Sequence, residues 1–159
     1  MNLSAPLIEA HIFRKKGNDI EFLMLKRAEK EIYPGFWQMV TGALKDENEK
    51  AYRTALREIM EETGLTPIQF WVVPHINSFY WVEKDSICQI PVFAALVESD
   101  SKVIISDEHS DFKWVDKNEA VELLAWKGQR ESVEIVYEYF VHQQNFLKFV
   151  EIPLRDKKN

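Results

Sequence analysis

Cysteine occurs once in the 159 residues, at Cys88. No internal disulfide can form, and no zinc site built from several thiolates is available. That usage suits a reducing compartment, so a cytoplasmic protein is expected. Glycine and proline are sparse, at five and six, which argues against a linker or a disordered insert. Basic residues are in deficit: 20 Lys and Arg against 26 Asp and Glu leave a formal charge of −6. Nucleic acid is therefore not expected as a partner. No apolar run approaches the roughly 20 residues of a membrane span. The start, MNLSAPLIEA, has no basic region leading into a long apolar run, so neither a membrane anchor nor a secretory signal is expected. No repeat is visible. One domain over residues 1–159 is expected, and 46% hydrophobic residues can fill its core.

What the chain does have is acid in an unusual pattern. Residues 42–65 read GALKDENEKAYRTALREIMEETGL, a loop, an amphipathic helix and a stop. Asn48 is the expected N-cap and Gly64 the C-terminal glycine. Helical spacing puts Tyr52, Leu56, Ile59, Met60 and Thr63 on one side, the expected core stripe. Glu58, Glu61 and Glu62 fall on the opposite side, within roughly 100° of arc. Ala51 and Ala55 beside them leave room for something to approach. Glu58 and Glu62 form a like-charge i,i+4 pair, which costs about 0.2–0.5 kcal/mol in a helix. Three converging carboxylates are the hard oxygen donors that Mg²⁺ or Mn²⁺ prefers. A solvated acidic face is the alternative.

The spacing of Gly42, Glu49, Arg57-Glu58, Glu61-Glu62 and Gly64-Leu65 resembles the box of the Nudix hydrolases, G-x5-E-x7-R-E-U-x-E-E-x-G-U with U aliphatic. Every fixed position from Glu49 to Leu65 agrees. Six residues rather than five separate Gly42 from Glu49; Glu49 is preferred to Asn48 as the first glutamate because it keeps the spacing to Arg57. The resemblance implies a Nudix fold, a mixed β-sheet between α-helices. It also implies hydrolysis of a nucleoside diphosphate linked to a further group, here a triphosphate giving a monophosphate and free pyrophosphate. It implies Mg²⁺, with Mn²⁺ as an alternative, held by Glu58, Glu61 and Glu62 near the Gly42 carbonyl, and Arg57 paired with Glu49 to orient the glutamates. Glu108, in the loop SDEHSD, is by the same resemblance a candidate ligand or general base; Glu58 is the other candidate base. His109 and Asp111 are weaker candidates.

The rest of the chain supplies the sheet and the substrate groups. Residues 5–14 and 20–27 read as strands joined by a turn at Gly17. Arg27, at the end of the second, is a candidate phosphate contact. A loop over 28–35 leads into a short strand at 36–41, where adjacent Phe36 and Trp37 must point to opposite faces. One is expected in the core and the other on a substrate ring, with Gln38 as a polar contact. FWQMVTG resembles a Nudix subgroup that cleaves dihydroneopterin triphosphate, and sometimes dATP, with release of pyrophosphate. Strands are expected at 68–73 and 76–82, around Pro74-His75. The aromatics Phe70, Trp71, Phe79, Tyr80 and Trp81 are read as core, and His75 as structural. Further strands are expected at 87–97, with Pro91 at an edge or bulge, at 103–105, and from Phe112. Asn118 is read as the cap of a helix over 119–126, Gly128 as its breaker. Residues 129–150 read as one long helix with Val133, Val136, Tyr137, Phe140 and Val141 facing the core. AWKGQRESVE resembles the same subgroup's pocket-lining segment, which makes Trp126, Lys127, Gln129 and Arg130 pocket candidates. The tail RDKKN is expected to fray.

Three functions remain open on these residues. The first is a pyrophosphohydrolase of a nucleoside or pterin triphosphate. The second is a Nudix hydrolase of ADP-ribose or dinucleoside polyphosphates, since EHSDFKWV also resembles the dinucleoside tetraphosphate hydrolases. The third is a nucleotide-binding module without turnover. Homodimerisation is left open.

Overall fold

The computed structural model describes residues 1–154; the tail RDKKN lies outside the described residues. Three strands with apolar residues on both faces form its centre: β2 (Leu7–Lys16), β3 (Asp19–Arg27) and β7 (Ser86–Leu96). Strand alternation divides their side chains between two cores. Ile8, Ala10, Ile12, Leu23, Leu25, Phe93 and Ala95 face one way. Phe13, Phe22, Met24, Val92, Ala94 and Leu96 face the other. Helix α1 (Ala51–Thr63) covers the first core with Ala55 and Ile59. The helices α2 (Lys117–Leu123) and α3 (Lys127–Tyr137) cover the second with Ala120, Val133 and Val136.

The remaining strands are β1 (Asn2–Ser4), β4 (Trp37–Gln38), β5 (Val40–Ala43), β6 (Gln69–Trp81) and β8 (His109–Val115). Among the described residues the sheet runs β1-β7-β2-β3-β4, with β5 on β2, β6 on β7 and β8 on β3. The pairs β1·β7 and β2·β7 are parallel and the others antiparallel. This is the mixed sheet between helices that the box implies. The register sets Gly42 opposite Ile8, and Arg27 opposite His109, so β5, the end of β3 and the start of β8 meet at one end of the sheet.

Several local expectations are corrected. Lys50, not Asn48, is the N-cap of α1, without a side-chain bond; Gly64 closes the helix at φ 70°, its N–H bonded to the Met60 carbonyl. The buried arc of α1 is rotated toward Ala55 and Glu62, leaving Met60 48% exposed. The small Ala55 side chain is what lets the helix sit down on that side. Residues 103–105 form no strand; the Ile104 N–H bonds the Thr63 carbonyl instead. The expected strands at 68–73 and 76–82 are one strand, β6, irregular between Val72 and Ile76, opposite Pro91. Phe79 and Tyr80 on it are exposed, whereas Phe70 and Trp71 are core. Asp116, not Asn118, caps α2 by accepting the Glu119 N–H. Gly128 lies in the first turn of α3 rather than breaking a helix, and a Cβ there would collide with Asn77 Oδ1, so the glycine serves close packing against β6. The long helix over 129–150 stops at Tyr137 and continues as a π-helical turn, Glu138–His142, then a 3₁₀ segment, Gln144–Phe149.

Candidate active site

Gly42 marks the floor of the site. A Cβ at this position would overlap Cγ and Cδ of Glu58 and stand 2.9 Å from its Oε1. Only glycine lets α1 lay that carboxylate across β5.

Arg57 is the hub beside it. Its Nε donates to Glu49 Oε2 at 3.1 Å and its Nη2 to Glu49 Oε1 at 2.9 Å, a two-point fork. Nη2 also reaches the Ala43 carbonyl at 3.1 Å. Nη1 donates to Glu58 Oε1 at 2.8 Å and to Glu61 Oε2 at 3.3 Å. Glu49 further accepts the Thr54 hydroxyl at 2.6 Å and the Lys45 N–H at 3.0 Å. Hydrogen bonds from Arg57, Thr54 and Lys45 hold the Glu49 carboxyl down at about 2, and Glu49 in turn raises the guanidinium. In the loop between Gly42 and Glu49, Asp46 Oδ1 accepts both the Asn48 and Glu49 N–H groups at 2.8 and 3.1 Å, a turn that leads into the helix.

Glu62 is different in kind. It is 2% exposed, and its Oε2 has no hydrogen-bond partner among the described residues. Burial first, then Glu58 and Glu108, push its carboxyl up to about 10, with Arg27 opposing. Glu108 is exposed in the loop before β8, and its carbonyl accepts the Ala28 N–H at 2.9 Å. Burial and the neighbours Glu31, Glu58 and Asp107 raise its carboxyl as well. Glu58, Glu62 and Glu108 thus share one acidic field. Glu61 is tied to Arg57 and half exposed.

A buried chain of polar groups leads from Glu62 to Arg27. His109 Nε2 lies 3.6 Å from Glu62 Oε1 and 3.2 Å from Gln38 Nε2. Gln38 Oε1 accepts Arg27 Nη1 at 3.2 Å. Arg27 Nε is bonded to the Ile32 carbonyl, and Nη2 lies 3.8 Å from Glu31. Burial and Arg27 lower the His109 ring. Asp111 instead accepts its neighbour's N–H, from Phe112.

The aromatic and α3 candidates separate cleanly. Trp37 packs against the α3-side core, bridges to Leu124, and carries Lys113 Nζ 4.9 Å from its ring centroid. Phe36 is the exposed one of the pair, stacked on Tyr33 at 5.4 Å and near Trp126 at 6.2 Å. Lys127 stands in solvent at 83% exposure, 3.8 Å from Glu131. Arg130 is turned inward, its Nη1 bonded to the carbonyls of Leu124 and Ala125 at 3.0 and 2.8 Å. Gln129 is buried and donates to Glu9 Oε2 at 2.6 Å, while Asn77 donates to Glu9 Oε1 at 3.0 Å. Glu9, His11, Tyr33 and Asn77 went unnoticed in the sequence. For Glu9 and His11 a signal existed: two polar residues in a strand that is apolar on both faces.

The profile of the NUDIX domain matches residues 8–136. The chain belongs to the Nudix family. Among curated relatives, dihydroneopterin triphosphate diphosphatase of Haemophilus influenzae is 30% identical over 136 residues, covering 77% of this chain and 81% of that protein. An octanoyltransferase of Myxococcus xanthus is 32% identical over 124 residues; the match takes 77% of this chain but only 34% of that longer protein. Among solved structures, a Nudix hydrolase from Listeria monocytogenes superposes with a TM-score of 0.73 at 26% identity, covering 86% of this chain and 94% of that one. As a member of this family the chain is a Nudix pyrophosphohydrolase, and the acidic cluster lies within the matched residues.

Nudix hydrolases generally use divalent metal ions. The donors here suit such an ion: hard carboxylate oxygens, one of them buried without a partner among the described residues, beside a glycine whose missing Cβ leaves room for the Glu58 side chain. Among the described residues no three such side chains are grouped to hold an ion, and Glu58 and Glu61 are turned onto Arg57. No helix among the described residues is long and apolar enough to cross a membrane.

Proposed function

We propose that this Nudix hydrolase converts a nucleoside or pterin triphosphate to the monophosphate and pyrophosphate, with Mg²⁺ held by Glu58, Glu61, Glu62 and Glu108 beside the Gly42 carbonyl. The observation that carries the reading is the shared field of Glu58, Glu62 and Glu108, set over Gly42 and held by the Arg57–Glu49 fork. The identity to a diphosphatase of dihydroneopterin triphosphate over most of both chains favours a triphosphate substrate.

When bound, the ion supplies Lewis acidity and neutralises phosphate charge. The protein supplies the rest. Arg57 positions Glu58 and Glu61 through Nη1. Arg27, 17% exposed, offers its guanidinium edge to the polyphosphate. Phe36 offers a face for the heteroaromatic ring. Water attacks phosphorus, the phosphoanhydride bond to the leaving pyrophosphate breaks, and a carboxylate takes the water's proton. We assign that task to Glu108 rather than Glu58, whose Oε1 is engaged by Arg57. Trp37 and Arg130 are bound into the protein and are assigned structural roles; Lys127 is left as a solvent-side contact. The single, buried cysteine supports a reducing, cytoplasmic setting.

The test is pyrophosphate release with Mg²⁺ or Mn²⁺ over dihydroneopterin triphosphate, the common (d)NTPs, ADP-ribose and a dinucleoside tetraphosphate, scored by product. Monophosphate plus pyrophosphate from a triphosphate is expected. Turnover confined to ADP-ribose or the dinucleotide would refute the triphosphate assignment.

A further inference from the structure

The polar chain between Arg27 and Glu62 has a direction that the hydrogen-bond chemistry fixes. A guanidinium only donates. Because Arg27 Nη1 lies 3.2 Å from Gln38 Oε1, that end of the amide must be the oxygen. The other end, the NH₂ group, then faces His109 Nε2 at 3.2 Å and can only donate. In the neutral ring His109 Nε2 then accepts, which places the hydrogen on Nδ1, a buried nitrogen with no partner among the described residues. The flipped amide would set NH₂ against the guanidinium N–H, donor against donor. Arg27 itself is held in place by the Ile32 carbonyl. Gln38 and His109 are both buried, so water does not compete for these contacts.

This has a consequence at Glu62. His109 Nε2, its lone pair committed to Gln38, stands 3.6 Å from Glu62 Oε1 and has no hydrogen to offer it. With the hydrogen on Nε2, the same ring would bond the carboxylate and compete with anything else that needs it.

We propose that Gln38 is a positioning residue: oriented by Arg27, it fixes His109 with the hydrogen on Nδ1, and so keeps the ring from bonding the buried Glu62 side chain, which stays available to a divalent cation. Gln38 therefore acts through its neighbours and does not touch substrate. Its cation half rests on the metal assignment under the proposed function; its tautomer half does not.

The experiment uses the full chain with ¹⁵N-labelled histidine, metal-free, and reads the His109 tautomer by long-range ¹H–¹⁵N correlation. Wild type is expected to carry the hydrogen on Nδ1. Gln38→Met removes the donor and is expected to move it to Nε2. Gln38→Glu, nearly isosteric, puts an acceptor there and is expected to do the same, which keeps the test alive should the methionine variant fold poorly. Mn²⁺ binding is then measured by electron paramagnetic resonance. Gln38→Met is expected to weaken it about tenfold, the effect of one hydrogen bond to a carboxylate, and adding His109→Phe to restore it to within about twofold of wild type. A wild-type ring with its hydrogen on Nε2, or unchanged Mn²⁺ affinity in Gln38→Met, overturns the proposal. Wild type that binds no Mn²⁺ while its ring carries the hydrogen on Nδ1 overturns the metal assignment, and the cation half with it, leaving the tautomer half supported.

Discussion

Replacing Gly42 with alanine tests the geometry of the site with the smallest change available. The backbone of Gly42 does not lie in the left-handed region, so alanine meets no conformational strain there. Its only effect is the added methyl group, which overlaps Cγ and Cδ of Glu58. Either β5 and α1 separate, or Glu58 swings off its contact with Arg57 Nη1. Overpacking of this kind costs about 1–3 kcal/mol. For a chain of this size that is a fall in Tm of about 2–12 °C. The decisive comparison is a double-mutant cycle with Glu58→Ala, read by thermal and urea unfolding. Truncating Glu58 removes Cγ, Cδ and Oε1, the atoms a methyl group would strike. In that background Gly42→Ala should cost less than about 0.5 kcal/mol. An equal cost of about 1 kcal/mol or more in both backgrounds would refute the account of why glycine stands here. Turnover provides the second reading: if Glu58 yields rather than the backbone, stability changes little, but kcat falls with the loss of the carboxylate's position.

Glu61→Gln should lower kcat by about two orders of magnitude or more with no change in fold by circular dichroism, because it removes a carboxylate from the acidic cluster; retained activity would remove Glu61 from the ligand set. Arg57→Lys keeps the charge but loses the fork to Glu49 and one of the contacts to Glu58 and Glu61; kcat should drop about 10–100-fold and the Mg²⁺ requirement rise, both read from a metal titration. His11 is fully buried, and burial, then His75, lower its ring from 6.5 to about 3. Below pH 6.5 the unfolded chain takes up a proton that the folded ring refuses, so this contribution is complete above 6.5 and is lost as pH falls toward 3, at up to about 1.4 kcal/mol per pH unit. His11→Phe should therefore gain stability relative to wild type at pH 5 compared with pH 7.5, measured by urea unfolding.

Legibility followed the range of the interaction. The α1 box was readable because its signals are local: Glu49 to Arg57, the glutamate spacing and Gly64 all act within about four turns of one helix. The rotation of α1 was not readable, since it depends on Ala55 settling against the sheet and on the 103–109 segment covering Glu62. Alternation announced that Phe36 and Trp37 part company, but which one enters the core is decided by Leu124 and Lys113, far along the chain. The helical pattern over 129–150 persisted past the point where the helix tightens and loosens its turns, because apolar spacing does not report hydrogen-bond register. Gln38 and His109 lie 71 positions apart, and no local pattern could have joined them.

The turn at Asp46 separates two measures of distance: the count of residues from Gly42, and the span from Glu49 to Arg57. One residue more in the loop lengthens the first and leaves the second untouched, and Asp46 closes the loop before the helix begins by accepting the Asn48 and Glu49 N–H groups. The loop therefore works as a splice that can be let out or taken in while the chemistry stays put. A search for relatives that insists on a fixed distance from the glycine will pass over chains like this one, and a search anchored on the arginine and its partner glutamate will find them.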